Sequence, residues 1–433
     1  MWLSGRRPLL WLLLLALSTA PWSAAQSPTL PREVVEKRLA QLDFALWVPE
    51  LFAISPDSRH LAYGMRAAQK QFIMLDGQAG KAYAAILVGM LQFSPDSKRL
   101  AYGVQETQQS FVVVDGKALT PYEALAASTL RFSPDSQRLA YAAVRDRRMF
   151  VVLDGVEQPP YEAIVAHSVT FSPNGQRLAY GAAVGSQMLV VLDGKELPRH
   201  DALVADSLRF SPDGQRFAYG ARQGRQWFVS VDAQPGKLYD GIGAGSVQFS
   251  PNGKRLAYVA QVGREQMVVL DGQAGKPYLG IVAGSLTFSP DSQHVAYAVQ
   301  GEDQLWFVVA DGQEGKPYEA WVSGPLFSPD SQRLAYAAAL EDGPQVVVID
   351  GREGLPQAEI KTGTLAFSPD SQRLAYGARR DTQWSVLVDG QSGPLFDTLL
   401  SVGGGKVLFD SPERLHYLAA RGADILLVSE RLK

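Results

Sequence analysis

The sequence predicts an all-β fold: a β-propeller of four-stranded blades, about ten repeats, with an N-terminal strand closing the last blade. Three observations point to it. The phrase Phe-Ser-Pro-Asp-Ser-Gln-Arg-Leu-Ala-Tyr recurs, its serine standing at Ser55, Ser94, Ser133, Ser172, Ser211, Ser250, Ser289, Ser328 and Ser368. The first seven intervals are 39 residues, the eighth is 40, and a degenerate tenth copy runs from Phe409 to Tyr417. One run in each period is apolar at consecutive positions, as in Phe111-Val112-Val113-Val114, Met188 to Leu192 and Val346 to Ile349. A strand with one wet face would alternate, so these strands are covered on both faces. Radially stacked sheets provide that cover, and a unit of this size is blade-sized. A parallel β-helix fits less well, because its coils are shorter and lack hairpin-turn chemistry.

In chain order, residues 1–25 read as a signal peptide. Arg6 and Arg7 give a positive start, Leu9 to Leu17 an apolar stretch too short to span a bilayer, and Ser23-Ala24-Ala25 the small residues of a cleavage site. The mature chain is expected to begin at Gln26 and to be secreted or periplasmic. Gly5 and Pro8 match a twin-arginine signal poorly, and an uncleaved anchor is the other reading of this segment. No later segment is apolar enough to span a membrane. The 433 residues contain no cysteine, which removes disulfides, thiolate metal sites and lipid attachment through cysteine. The formal net charge of -3 argues against a nucleic-acid binder. Residues 26–43 form a short segment with an expected helix over Pro31 to Leu42.

Residues 44–433 are the propeller. In the seventh unit Ser285 to Phe288 reads as strand A, and Ser289-Pro290-Asp291-Ser292 as a tight turn. His294 to Tyr297 reads as strand B, and Trp306 to Val309 as strand C, ended by the Asp311-Gly312 turn signal. Tyr318 to Trp321 reads as strand D. The phrase Phe-Ser-Pro-Asp-Ser/Gly-x-Arg-Leu-Ala-Tyr resembles the WD40-like repeat of TolB-type β-propellers, over residues 44–430. The resemblance implies a propeller of this kind. It does not specify a function, since such repeats occur in binding proteins and in peptidase propeller domains. This chain has no counterpart of TolB's separate N-terminal domain, and its copy number exceeds six.

The tenth unit offers strands A, B and C but no D. Phe44 lies 11 residues before Ser55, as Tyr278 lies 11 before Ser289, so Phe44-Ala45-Leu46-Trp47 stands in the D register. That strand is expected to complete the last blade. Closure removes the open edges of an array. Ten blades exceed the usual range, so two five-bladed rings or an open array also fit the count.

Recurring residues are read as structural. Tyr63, Tyr102, Tyr141, Tyr180, Tyr219, Tyr258, Tyr297, Tyr336, Tyr376 and Tyr417 hold one position in all copies, as packing residues do. Asp57, Asp96, Asp135, Asp213, Asp291, Asp330 and Asp370, with Asn174 and Asn252, are turn formers. No Asp-x-Asp-x-Asp loop suggests calcium. His60 and His294 replace the motif arginine, His416 lies in a strand, and His167 and His200 stand alone. No nucleophile elbow, zinc motif or phosphate loop is present. The expectation is therefore no catalytic residue, no metal and no cofactor.

Partner-specific information is expected where repeats differ, in the B–C loops. The candidates are Arg145, Arg147, Arg148, Arg222, Arg225, Arg264, Arg379 and Arg380, with Trp227, Trp306 and Trp384 following three of these loops. Glu302, Asp303, Glu341 and Asp342 give an acidic sector beside them. Aromatic and arginine anchors suit a docking face for a protein or glycan of the cell envelope. The expected function is a non-catalytic interaction scaffold. The alternatives are a carbohydrate or cell-wall binder and a propeller enzyme of lyase or hydrolase type.

Overall fold

The computed structural model describes residues 31–433 except 342, 402 and 403, with main chain alone at 322. The signal-peptide reading and Asp342 lie outside the described residues. The fold is an all-β propeller ring of ten antiparallel blades, with no α-helix among the described residues. Blade 3 shows the unit. Strand A comes in two pieces, Ala124–Leu125 and Arg131–Phe132, both paired with strand B, Leu139–Arg145. Strand C is Arg148–Leu153 and strand D begins at Val156–Glu157.

The hairpin chemistry follows local sequence. The C–D turn is Asp154-Gly155, with φ of 52° and 82°, and the B–C turn is Asp146-Arg147, with φ of 51° and 61°. Both residues of each pair lie at positive φ, as a type I′ turn requires, and Asp and Gly tolerate that best. The interruption of strand A is a bulge closed by a buried hydroxyl. Ser207 Oγ donates to Val204 O at 2.7 Å and accepts from Gly220 N at 2.9 Å. Gly220 is required there, since a Cβ would come within 2.6 Å of the Val204 side chain. Strand D starts earlier than expected. In blade 7 it opens at Gln313–Glu314 and ends where Tyr318 bridges Trp306. Trp321 already belongs to strand A of blade 8, Ala320–Phe327. Tyr318 ends one strand while Ala320 and Trp321 begin the next, so the apolar residues straddle the boundary and did not mark it.

The repeated phrase fastens each blade to the next. In blade 2, Ser94 Oγ donates to Asp96 Oδ1 at 2.6 Å, and Lys98 N and Arg99 N donate back into the turn. The Ser94 hydroxyl holds the Asp96 carboxyl below its ordinary range. Asp96 N then donates to Ser136 Oγ of blade 3, at 3.0 Å. Arg138 Nε lies 2.8 Å from Asp154 of its own C–D turn, while Nη1 donates to the carbonyls of Gly175 and Gln176 in blade 4. The same guanidinium lies 5.7 Å from the Phe171 ring centroid in blade 4. Arg177, Arg216 and Arg333 repeat the full pattern. Exposed ion pairs stabilise little one by one; the backbone bonds across each seam set the blade register.

Aromatics fill the same seams. The strand B tyrosines are buried, and each of most meets the residue ending strand D of the preceding blade. Tyr122–Tyr141, Tyr161–Tyr180, Tyr239–Tyr258 and Tyr278–Tyr297 are edge-to-face at 6.2–6.5 Å. At the blade 4–5 seam His200 takes that place, its Nε2 3.1 Å from Tyr219 Oη. Burial pushes the His200 pKa down, which keeps the ring neutral.

The ring closes through the N-terminal strand, but by different residues from those expected. Arg32–Gln41 is a ten-residue strand paired with strand C of blade 10, Asp424–Leu432. The helix expected over Pro31 to Leu42 is therefore corrected: the free edge of Asp424–Leu432 outweighs the helical preference of a charged segment. Phe44 to Leu46 form a turn, with Phe44 62% exposed, and Trp47 opens strand A of blade 1, Trp47–Ile54. The Arg32 guanidinium lies 2.7 Å from Glu430, their side chains 7% and 0% exposed, and also donates to the carbonyls of Val386 and Gln391 in blade 9. Tyr417 Oη donates to Glu430 at 2.6 Å. On the other side of blade 10, Arg59 pairs with Asp410 at 2.7 Å and Lys406 N donates to Ser58 Oγ. Blade 10 thus contacts blade 1 through bonds of its own rather than through the repeated motif pattern.

Candidate functional site

Strand D of one blade runs up to strand A of the next beside the B–C turns, so these segments share one face. The A–B turns and the Asp-Gly turns form the other. On that second face the motif charges are consumed by the seam contacts described above. The B–C face differs. Its turns are mostly two-residue hairpins, such as Gly224-Arg225 between Gln223 and Gln226, so the expected variable loops are short turns. Asp201 and Asp240, entering strand A, accept from Gly224 N and Gly263 N at 2.6 and 2.7 Å and hold those turns.

The candidate arginines divide into two groups. Arg145 pairs with Glu157 of its own blade and lies over Tyr122 and Phe150, 5.4 Å from each ring centroid. Arg148 donates to Pro160 O at 3.0 Å. Arg222 lies 5.3 Å from the Trp227 ring centroid, and Arg379 Nε lies 2.9 Å from Glu359. These four are occupied within the protein. Arg147, Arg225, Arg264 and Arg380 are exposed and have no side-chain partner among the described residues. Glu302, Asp303 and Glu341 are exposed on the same face in blades 7 and 8.

The three tryptophans sit in strand C, at the seams between blades. Trp227, Trp306 and Trp384 occupy the strand C position that bridges the end of strand D, where other blades carry Gln71, Ser110 or Gln345. In blade 1 that side chain, Gln71, accepts from Ile86 N of the next blade's strand A at 2.7 Å. The position therefore belongs to the seam. Trp384 is 7% exposed beneath Lys361, and Trp227 and Trp306 are half-buried. Position after a variable turn did not reveal this, because the seam partner lies in another repeat.

The histidines are committed to structure where they are buried. His416 Nδ1 lies 2.9 Å from Asp410 and Nε2 2.6 Å from Asp57 O, so both nitrogens are engaged at the closing seam. His60 and His294 pair with Asp76 and Asp311, as the motif arginine does elsewhere. Among the described residues no group of three or more histidines and carboxylates is placed to hold a metal ion.

A second cluster lies on the inner wall. The strand A bulges of neighbouring blades meet there: His167 N donates to Ser128 O at 3.3 Å, and Gly245 N to Ala205 O at 3.0 Å. A cavity of about 200 Å³ between blades 4 and 5 is lined by Arg131, His167, Thr170, Val204, Asp206 and Arg209. Sequence reading left His167 alone and did not single out the arginines. The signal was present in the residue two before each motif serine. That position is Gln92, Thr170, Gln248, Thr287, Leu326 or Ala366 in other blades, but arginine in blades 3 and 5.

Fold and surface together define a ten-bladed repeat propeller whose B–C face carries four exposed arginines unpaired among the described residues. No family model and no curated protein matches the chain. Solved structures similar to it include a eukaryotic initiation factor, at 14% identity and a TM-score of 0.46, over 79% of this chain and 96% of that one. The Dos1 propeller is 13% identical with a TM-score of 0.38, over 93% and 95%. TolB from Acinetobacter baumannii is 15% identical with a TM-score of 0.30, over 53% and 61%.

Proposed function

We propose that this protein is a non-catalytic binding scaffold, exported to the periplasm or beyond, whose B–C face docks an acidic protein of the cell envelope. The observation that carries this is the contrast between faces. Motif arginines on the A–B face meet aspartates and carbonyls of their own ring, whereas Arg147, Arg225, Arg264 and Arg380 point into solvent unpaired. Unpaired guanidinium groups bind carboxylates in paired, directional contacts. The acidic residues of blades 7 and 8 give the face an orientation, since a partner of complementary charge fits one rotation of the ring best. Burial of Trp384 and half-burial of Trp227 and Trp306 favour a protein over a glycan stacked on exposed indoles. The signal-peptide pattern and the TolB-type repeat phrase support an envelope location.

The test is a pull-down from envelope extract with the intact protein and with Arg147, Arg225, Arg264 and Arg380 all changed to Ser. These residues are exposed and form no hydrogen bond or ion pair among the described residues, so melting should not change by more than about 0.5 kcal/mol. An acidic protein is expected to be retained by the intact chain, lost with the variant, and weakened by salt as screened charge contacts are. An unchanged set of partners, or turnover of a small substrate by the intact protein, would overturn the proposal.

A further inference from the structure

The inner-wall cavity has an electrostatic imbalance that the blade contacts do not resolve. Arg131 enters it from blade 3, and Arg209 and Asp206 from blade 5. Both guanidinium groups are half-buried. Arg131 Nη1 donates to Leu130 O at 2.8 Å and Arg209 Nη1 to Leu208 O at 3.0 Å, and among the described residues neither side chain forms another hydrogen bond. A guanidinium carries five N–H donors, so most of those in this pair have no protein acceptor. Neither is within ion-pair distance of a carboxylate among the described residues. Asp206 acts on both from farther away, favouring their charged forms against the burial that pulls their pKa values down. Two cations thus line one recess together with a single carboxylate, Asp206. An anion placed between them would accept from donors that the protein leaves open.

The other blades show that the fold does not need arginine here. Gln248 holds the same position in blade 6 and bridges to the next blade by donating to Leu286 O at 2.7 Å. The two arginines are therefore a local departure, and the cavity between them opens past the exposed His167 and Asp206. Its volume equals that of roughly six to seven waters, enough for a small anion but not for a polymer segment.

We propose that this cavity binds one small oxyanion, a phosphate or a short carboxylate, held between Arg131 and Arg209. Parallel N–H groups of a guanidinium match two oxygens of either group. Asp206 competes with the ligand for the same cations and weakens binding. The site is separate from the B–C face arginines and does not depend on them.

The experiment is isothermal titration of the full chain with sodium phosphate and, separately, sodium succinate, in a low-salt chloride-free buffer. The intact protein is expected to bind one of them at one per chain. Arg131→Gln and Arg209→Gln should each weaken that binding about tenfold, as loss of a charge-assisted contact does, and the double variant should abolish it. Glutamine already fits this position at Gln92 and Gln248, so the variants should melt as the intact protein does. Asp206→Asn, at an exposed residue, should tighten binding and gives a second readout should the double variant fail to fold. No binding of either anion by the intact protein would overturn the proposal. So would equal binding by the double variant, or an unchanged affinity in Asp206→Asn.

Discussion

Deleting residues 26–42 will destabilise the whole ring and make the protein associate in a concentration-dependent way. The removed segment contains the full outer strand of blade 10, Arg32–Gln41, so the edge of Asp424–Leu432 is left with unpaired backbone groups. Open edges pair with other chains. The deletion also strands Glu430, whose side chain is fully buried against Arg32. Breaking a buried pair from one side costs about 3–5 kcal/mol, because the remaining charge keeps its desolvation penalty without its partner. The single change Arg32→Ala should therefore reproduce much of the stability loss while keeping the strand. Calorimetry and light scattering at two protein concentrations check both. Unchanged melting of the deletion and a monomeric profile would contradict closure by this strand.

Tyr219→Ala should cost about 3–5 kcal/mol, as truncation of other large buried aromatics does. Tyr219 is 1% exposed, and its hydroxyl is the partner of the buried His200 Nε2. Truncation leaves both a cavity and a buried ring nitrogen without its hydrogen bond. In a repeat array each unit is stabilised by its neighbours, so the damage should centre on blades 4, 5 and 6. Hydrogen exchange should show faster amide exchange there first, with blades 9 and 10 least affected. A loss below about 0.5 kcal/mol, or protection lost evenly round the ring, would show that the seam packing described here is wrong.

The repeat period and the doubly covered strand C were enough to expect blades, because both express packing that every copy shares. The Ser-Pro-Asp turn was legible for the same reason: its bonds lie within five residues, as between Ser94, Asp96 and Arg99. What escaped sequence reading depends on contacts between repeats or between distant segments. Residues 32–41 carry mixed charges and suit a helix, and become a strand only because residues 424–432 offer a free edge. Trp384 follows a variable turn yet is covered by the next blade. The split of strand A, and the inner-wall position it gives to His167 and Asp206, depends on a bulge whose hydroxyl bonds skip 13 residues. Arg131 and Arg209 depart from their own column of the repeat although neither lies in a variable turn.

The closing strand and the bonds of Arg59, Ser58 and His416 across the last seam require one continuous ring in which blade 10 contacts blade 1. Averaged electron micrographs of single particles viewed down the ring axis test this most directly. They should show ten radial blades around one central opening, with no gap between the first and last. Two five-bladed lobes, or an arc with a break, would contradict it.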